Sequence, residues 1–215
     1  MTANLPDRLQ RSLAQLGTGE SCALLVRHAD RPQFPPGSDG NEVELNDLGR
    51  SRSLALGGWL RSRPQVTAKV SPVLRCWQTA QLALAGHTDL GDIEHSHLLG
   101  EPGPFVVDRA RCSELFATMR TPAVVRALID TGGLEGMRTV TEATRLVREL
   151  LDDCLQQGGC HLLVSHDAIL MPLIFGLCGE RFVGDWLPPL DGAVFTRRAG
   201  RTQVWWGGVA QEVMP

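Results

Sequence analysis

Two histidines and two arginines fall at the ends of apolar runs. Arg27-His28 follows Ser21-Cys22-Ala23-Leu24-Leu25-Val26, Arg75 comes shortly after Ala68-Lys69-Val70-Ser71, and His166 follows His161-Leu162-Leu163-Val164-Ser165. Guanidiniums offer forked donors that match the oxygens of an oxyanion, and an imidazole attacks an electrophile when it is neutral. Each residue alone says little, because a lone histidine at a strand end is commonly a structural hydrogen-bonder. Their coincidence at three strand ends points to one site, since ligands of open α/β sheets lie beyond the carboxyl ends of the strands.

For those residues to meet, the three runs must be neighbouring strands. The 215 residues, 43% hydrophobic and 21% charged with a net charge of −3, suit one ordinary globular domain spanning 1–215. Disorder, collagen and coiled coil are excluded, and no window reaches the roughly 18 apolar residues a membrane span needs. Leu5, Leu9, Leu13 and Leu16 keep helical spacing. A Pro- and Gly-rich loop from Arg31 to Asn46 leads into a helix capped by Asn46-Asp47 and ended by Arg61-Ser62-Arg63-Pro64. Pro72 opens a helix reaching Ala85, and the stretch from Gly86 to Phe105 reads as loop with one short strand over Asp92–His95. Thr121-Pro122 starts another helix, with a cap followed by proline, and Thr139-Val140-Thr141-Glu142 is a capping box stopped by Gly158-Gly159. An apolar helix covers Asp167–Leu177, and two β segments flank Ala199-Gly200. Strands alternating with helices predict a three-layer α/β sandwich, a mostly parallel central sheet with helices on both faces.

The motifs resemble those of the histidine phosphatase superfamily, in its small, phosphoglycerate mutase-like branch. Leu24-Leu25-Val26-Arg27-His28-Ala29-Asp30 is similar to its Arg-His-Gly signature, and Leu45-Asn46-Asp47-Leu48-Gly49 to its Leu-Thr-x-x-Gly helix start. Ser71-Pro72-Val73-Leu74-Arg75-Cys76-Trp77-Gln78-Thr79-Ala80 resembles its Ser-Pro-x-x-Arg-x-x-Gln-Thr-Ala string, and Val164-Ser165-His166-Asp167 its late histidine strand. The resemblance implies a phosphatase that hydrolyses the phosphomonoester of a small metabolite through a phosphohistidine. His28 would be the nucleophile, and Arg27 and Arg75 would bind the phosphate. His166 would donate to the phosphoryl oxygens, and neither metal ion nor cofactor would be required.

The leaving alkoxide needs a proton, so a carboxyl group belongs near the pocket mouth. In the small branch it is a glutamate on the loop after the second arginine motif, a position Glu101 matches. In the larger acid-phosphatase branch it is the aspartate after the late histidine, which makes Asp167 the alternative acid unless it caps the following helix. Asp30 and Asp108 are further candidates. Ala29 stands where the family commonly has glycine, and Asp30-Arg31-Pro32 departs from the phosphoglycerate mutases, arguing against a glycolytic mutase. Arg31 resembles an extra phosphate-binding arginine of the larger branch. Phe34, Phe105 and Trp77 are candidates for either pocket wall or core. A phosphoryl-transfer mutase and a non-catalytic phosphate-binding member are the other readings of the same motifs.

The expected partner is a small phosphorylated substrate. Nucleic acid is not expected, because the twenty arginines are interspersed with carboxylates and Lys69 is the only lysine; nor is a membrane. Trp59, Trp186, Trp205 and Trp206 leave room for a homo-oligomer surface, with core packing as the default. The amino terminus lacks the marks of an export signal, so a cytoplasmic location is expected, and the six scattered cysteines read as free thiols.

Overall fold

Cys22–Arg27 forms the first strand (β1), and its alternation builds two cores at once. Ala23 and Leu25 face one hydrophobic cluster while Cys22, Leu24 and Val26 face the other. Cys160–Ser165 (β4) and Gly192–Arg198 (β5) sort their residues in the same way, as period-two strands buried on both faces must. The computed structural model describes residues 4–38, 40–86, 90–179 and 186–213. Residues 87–89 of the expected 86–105 loop, and residues 1–3 at the amino terminus, lie outside that set.

Val66–Val70 (β2), Leu90–His95 (β3), Arg201–Trp206 (β6) and Val209–Glu212 (β7) complete a seven-stranded sheet in the order β3-β2-β4-β1-β5-β6-β7. β3, β2, β4 and β1 run parallel, and β5, β6 and β7 form an antiparallel meander beside β1. Asp7–Leu13 (α1), Asp47–Leu60 (α2) and Leu74–Leu84 (α3) cover one face. Thr121–Thr131 (α5), Val140–Gln157 (α6) and Asp167–Cys178 (α7) cover the other. The α/β class with helices on both faces is therefore as the sequence implies. No helix among the described residues is long and apolar enough to cross a membrane.

The cap signals hold where they name side chains. Asn46 accepts from the Gly49 amide, and Thr139 and Glu142 close a capping box on α6. Other boundaries move. α3 begins at Leu74, not Pro72, because Val73 stays extended and serves as its cap. Arg109–Met119 forms a helix (α4) that apolar periodicity does not announce, since Cys112 is its one buried residue. Arg120, at φ 62°, joins α4 to α5 in a single residue, so Thr121 is the first helical residue rather than the cap. β7 adds a strand beyond the expected two-segment tail.

Trp205 and Trp206 are buried, and Trp59 packs against the core from its edge. Arg8, Arg63 and Arg198 lie on the faces of Trp206, Trp59 and Trp205 at 4.5, 4.0 and 4.7 Å. All six cysteines are free thiols, five of them buried, with Cys22 and Cys160 side by side across β1 and β4.

Candidate active site

The parallel ladder sets the site. Arg27 of β1 pairs with Ser165 of β4, Val164 pairs with Val26 and with Val70, and the next residues along these strands are His28, His166 and Ser71. The His28 amide donates to the Ser165 carbonyl at 2.9 Å and the Ser71 amide to the Val164 carbonyl at 3.0 Å, so the register persists past the strand ends. The two imidazoles meet edge to face, 5.5 Å between centroids at 66°.

His28 is 2% exposed, and its Nδ1 lies 2.7 Å from the Ala29 carbonyl. A carbonyl can only accept, so Nδ1 carries the proton and Nε2 presents a lone pair. Burial first, then the His166 ring and the Arg75 guanidinium, hold the His28 pKa well below the ordinary imidazole value. Burial followed by Arg75 lowers His166 to about 3. Arg75 Nη2 donates to His166 Nδ1 at 3.2 Å, leaving Nε2 to donate to Ser71 Oγ at 2.8 Å. A guanidinium can only donate, so Nδ1 accepts and the neutral ring carries its proton on Nε2.

The Gln-Thr-Ala part of the motif is scaffolding. Thr79 Oγ1 accepts from the Ala29 amide at 3.0 Å and donates to the Arg75 carbonyl at 2.7 Å, tying the two motifs together. Gln78 Oε1 accepts from the Leu45 amide at 2.9 Å and steadies the end of the 31–46 loop. Gly49 is required because a Cβ there would lie 2.1 Å from the Asp30 carbonyl oxygen.

The arginines differ in how they are held. Arg27 pairs with Asp167 at 2.8 Å and donates to the Leu187 carbonyl. Arg75 is 6% exposed and donates to the Gly40 carbonyl at 2.7 Å. Arg31 stacks on Phe34 at 3.6 Å, and Arg75 lies 5.2 Å from the same ring. Among the described residues, the buried Nε atoms of Arg27 and Arg31 have no acceptor. Burial lowers the pKa of both, and for Arg31 the neighbouring Arg75 and Arg27 add to it.

The carboxylates separate by surroundings. Asp167 Oδ2 accepts from Trp186 Nε1 at 2.7 Å and from Arg27, and Oδ1 from the Ala168 amide at 2.9 Å. It is the first residue of α7 rather than the cap, which is His166 without a side-chain bond. Three donors fix its orientation between Arg27, Trp186 and the first turn of α7. Glu101 follows Gly100 on the loop after β3, in the left-handed region at φ 46° and joined to Pro102 by a cis peptide. The loop is held by Ser165 Oγ donating to the Leu99 carbonyl at 2.7 Å and by His97 donating to the Glu101 carbonyl. Its carboxylate, 41% exposed, meets Arg109 at 2.9 Å and Asn41 Nδ2 at 3.4 Å. Asp30 is instead bound to Arg52 by two contacts of 3.0 and 2.9 Å, and Asp108 caps α4, so both are already committed elsewhere.

His28, His166, Arg31, Arg75, Glu101 and Asp167 line one cavity of about 470 Å³, and Arg27 reaches it through Asp167. Phe34 and Phe105 are part of its wall, whereas Trp77 packs at the edge of the core. Trp186 packs against the core, as its default reading has it, and also lines the cavity. The roles of Ser71 and Thr79 were open to inspection within the quoted string, whereas nothing local marks Asn41, Arg109 or Trp186. Among the described residues no three His, Cys, Asp or Glu side chains gather as a metal site. The cavity therefore combines a buried neutral imidazole, two guanidiniums and a solvent-accessible carboxylate.

A family model described as histidine phosphatase superfamily (branch 1) matches residues 23–197. No curated protein matches the chain in sequence. Among solved structures, Bacillus stearothermophilus YhfR superposes with a TM-score of 0.60 at 16% identity, covering 87% of this chain and 96% of that one. A mycobacterial glucosyl-3-phosphoglycerate phosphatase complexed with VO3 gives 0.58 at 14% identity, over 86% and 97%. An Entamoeba histolytica phosphoserine phosphatase mutant bound to phosphoserine gives 0.57 at 15% identity, over 89% and 95%. At these identities the likeness is one of fold.

Proposed function

Because the chain belongs to the histidine phosphatase superfamily, in its branch 1, we propose that it is a metal-independent phosphoric monoester hydrolase working through a phosphohistidine on His28. The observation that carries this reading is the His28 ring, neutral and buried, with Nδ1–H bound to the Ala29 carbonyl and its Nε2 lone pair available. Arg27, Arg31 and Arg75 balance the charge of the phosphate dianion, whose oxygens are the acceptors that Arg27 Nε and Arg31 Nε lack.

Nε2 of His28 attacks phosphorus, and the bond from phosphorus to the ester oxygen breaks. That oxygen takes a proton from Glu101 and leaves as the alcohol. His166, whose Nδ1 accepts from Arg75, turns its Nε2 proton from Ser71 Oγ to an equatorial phosphoryl oxygen. Water then gives its proton to the Glu101 carboxylate as it attacks phosphorus, and the P–N electron pair returns to Nε2. Inorganic phosphate is released. The exposure of Glu101 gives water a route to the intermediate, which favours hydrolysis over a mutase that must shield it.

The test is hydrolysis of p-nitrophenyl phosphate in EDTA. Wild type turns over, and His28→Ala loses activity to background. A protein that binds vanadate yet shows no His28-dependent turnover would instead be the phosphate-binding, non-catalytic member.

A further inference from the structure

Resting on the phosphatase reading, we propose that the substrate is a monophosphate ester of an apolar alkyl or aryl alcohol, without a second anionic group. Its phosphate sits on Arg75 and His28, and its leaving group fills the remainder of the cavity. That remainder is built from Phe105, Phe116, Met137, Ile169 and Trp186. Phe116 comes from α4, Met137 from the segment before α6 and Ile169 from α7, so three separate elements contribute apolar surface to one space. All three are only partly buried, as is Trp186, and a bound apolar group would cover what they expose.

The wall is fixed in place. Trp186 is oriented by its bond to Asp167, and the 101–104 loop lies so close to Ile169 that a Cβ on Gly103 would come within 2.8 Å of its Cδ1. The lining cations, Arg31 and Arg75, are both drawn up around Phe34, and the described lining holds no other lysine or arginine. A second phosphate or a substrate carboxylate would compete with the ester phosphate for these two. Sugar hydroxyls would lie against the carbon of Phe105, Phe116, Met137 and Ile169, while Asp167 already accepts from three donors and Asn41 donates to Glu101.

The measurement is kcat/KM across n-alkyl phosphates from methyl to hexyl, with glycerol 1-phosphate and phosphoserine alongside and His28→Ala as the blank. Alkyl leaving groups of similar basicity make the trend report the pocket rather than the bond broken. The expected result is a rise of about fourfold per methylene through the middle of the series, the value for burying one CH2. Propyl phosphate should exceed glycerol 1-phosphate at least tenfold. Phe116→Ser and, independently, Met137→Gln should flatten the rise. A flat series, or glycerol phosphate or phosphoserine used as well as propyl phosphate, overturns the proposal and leaves the phosphatase standing. An absence of His28-dependent turnover on every ester overturns both.

Discussion

The His28 and His166 rings meet edge to face at 5.5 Å, the His166 ring opposing positive charge on His28 and Arg75 opposing it on both. Two imidazoles so placed are a neutral pair poised beneath arginines.

The pair gives the protein an acid-side signature. His166 is pushed from 6.5 to about 3 in the folded state and His28 well below 6.5, so protonation favours the unfolded chain. Their contribution to stability is full above about pH 6.5 and is lost as pH falls toward about 3. Thermal unfolding should show Tm falling over that window, with a shallower fall in His166→Gln. Histidine ring NMR should find neither residue titrating near 6.5; a midpoint there for either would refute the assignment.

Glu101 and Asp167 can be told apart by leaving group. Glu101→Gln should lose about 10²- to 10⁴-fold in kcat on alkyl phosphates and much less on an aryl ester, which needs little protonation to leave. Asp167→Asn should lower both substrates alike, because it loosens Arg27 and Trp186 rather than withholding a proton. The reverse pattern would make Asp167 the acid.

Gly100 has no room for a side chain. A Cβ there would lie 2.3 Å from Ser71 Oγ and 2.8 Å from the His166 ring, on a backbone with φ of 153°. Gly100→Ala should cost about 1–3 kcal/mol in urea unfolding and reduce turnover further than stability alone explains. A fully active Gly100→Ala would show that the His166–Ser71 bond is dispensable.

Thr79→Val keeps shape and removes the hydroxyl that joins Ala29 to Arg75. It leaves the Ala29 amide buried without its acceptor, at a cost of about 1–3 kcal/mol. Calorimetry should record the loss, and KM for the ester should rise with it as Arg75 drifts.

Thr139→Ala serves as the contrasting case. It opens the α6 capping box, a contact made to Glu142 rather than to a residue lining the cavity, and should cost about 1 kcal/mol in unfolding while leaving kcat/KM unchanged. A fall in activity would mean that α6 influences the site.

What the chain discloses depends on whether the signal is local. Asn46 and Thr139 announce their helices because a cap is a contact over three residues. The apolar runs ending in Arg27, Ser71 and Ser165 disclose the strands, since a strand buried on both faces has few other ways to be written. α4 escaped because it presents little to the core, and Arg120 made a turn without glycine or proline to mark it. His28, Arg27 and Arg75 are legible because they lie at or just after strand ends. Arg109 against Glu101 and Trp186 against Asp167 are not, because each contact is made by chain path alone.

The in-register pairing of β1 with β4 means that the spacing of His28 and His166 is fixed by backbone hydrogen bonds, whereas the walls around the leaving group come from loops and outer helices. Phosphoryl chemistry and substrate choice therefore occupy separately editable parts of the chain. A designer, or natural drift, could exchange segments 105–122 or 134–137 to admit a new alcohol without retuning the histidine pair or Glu101.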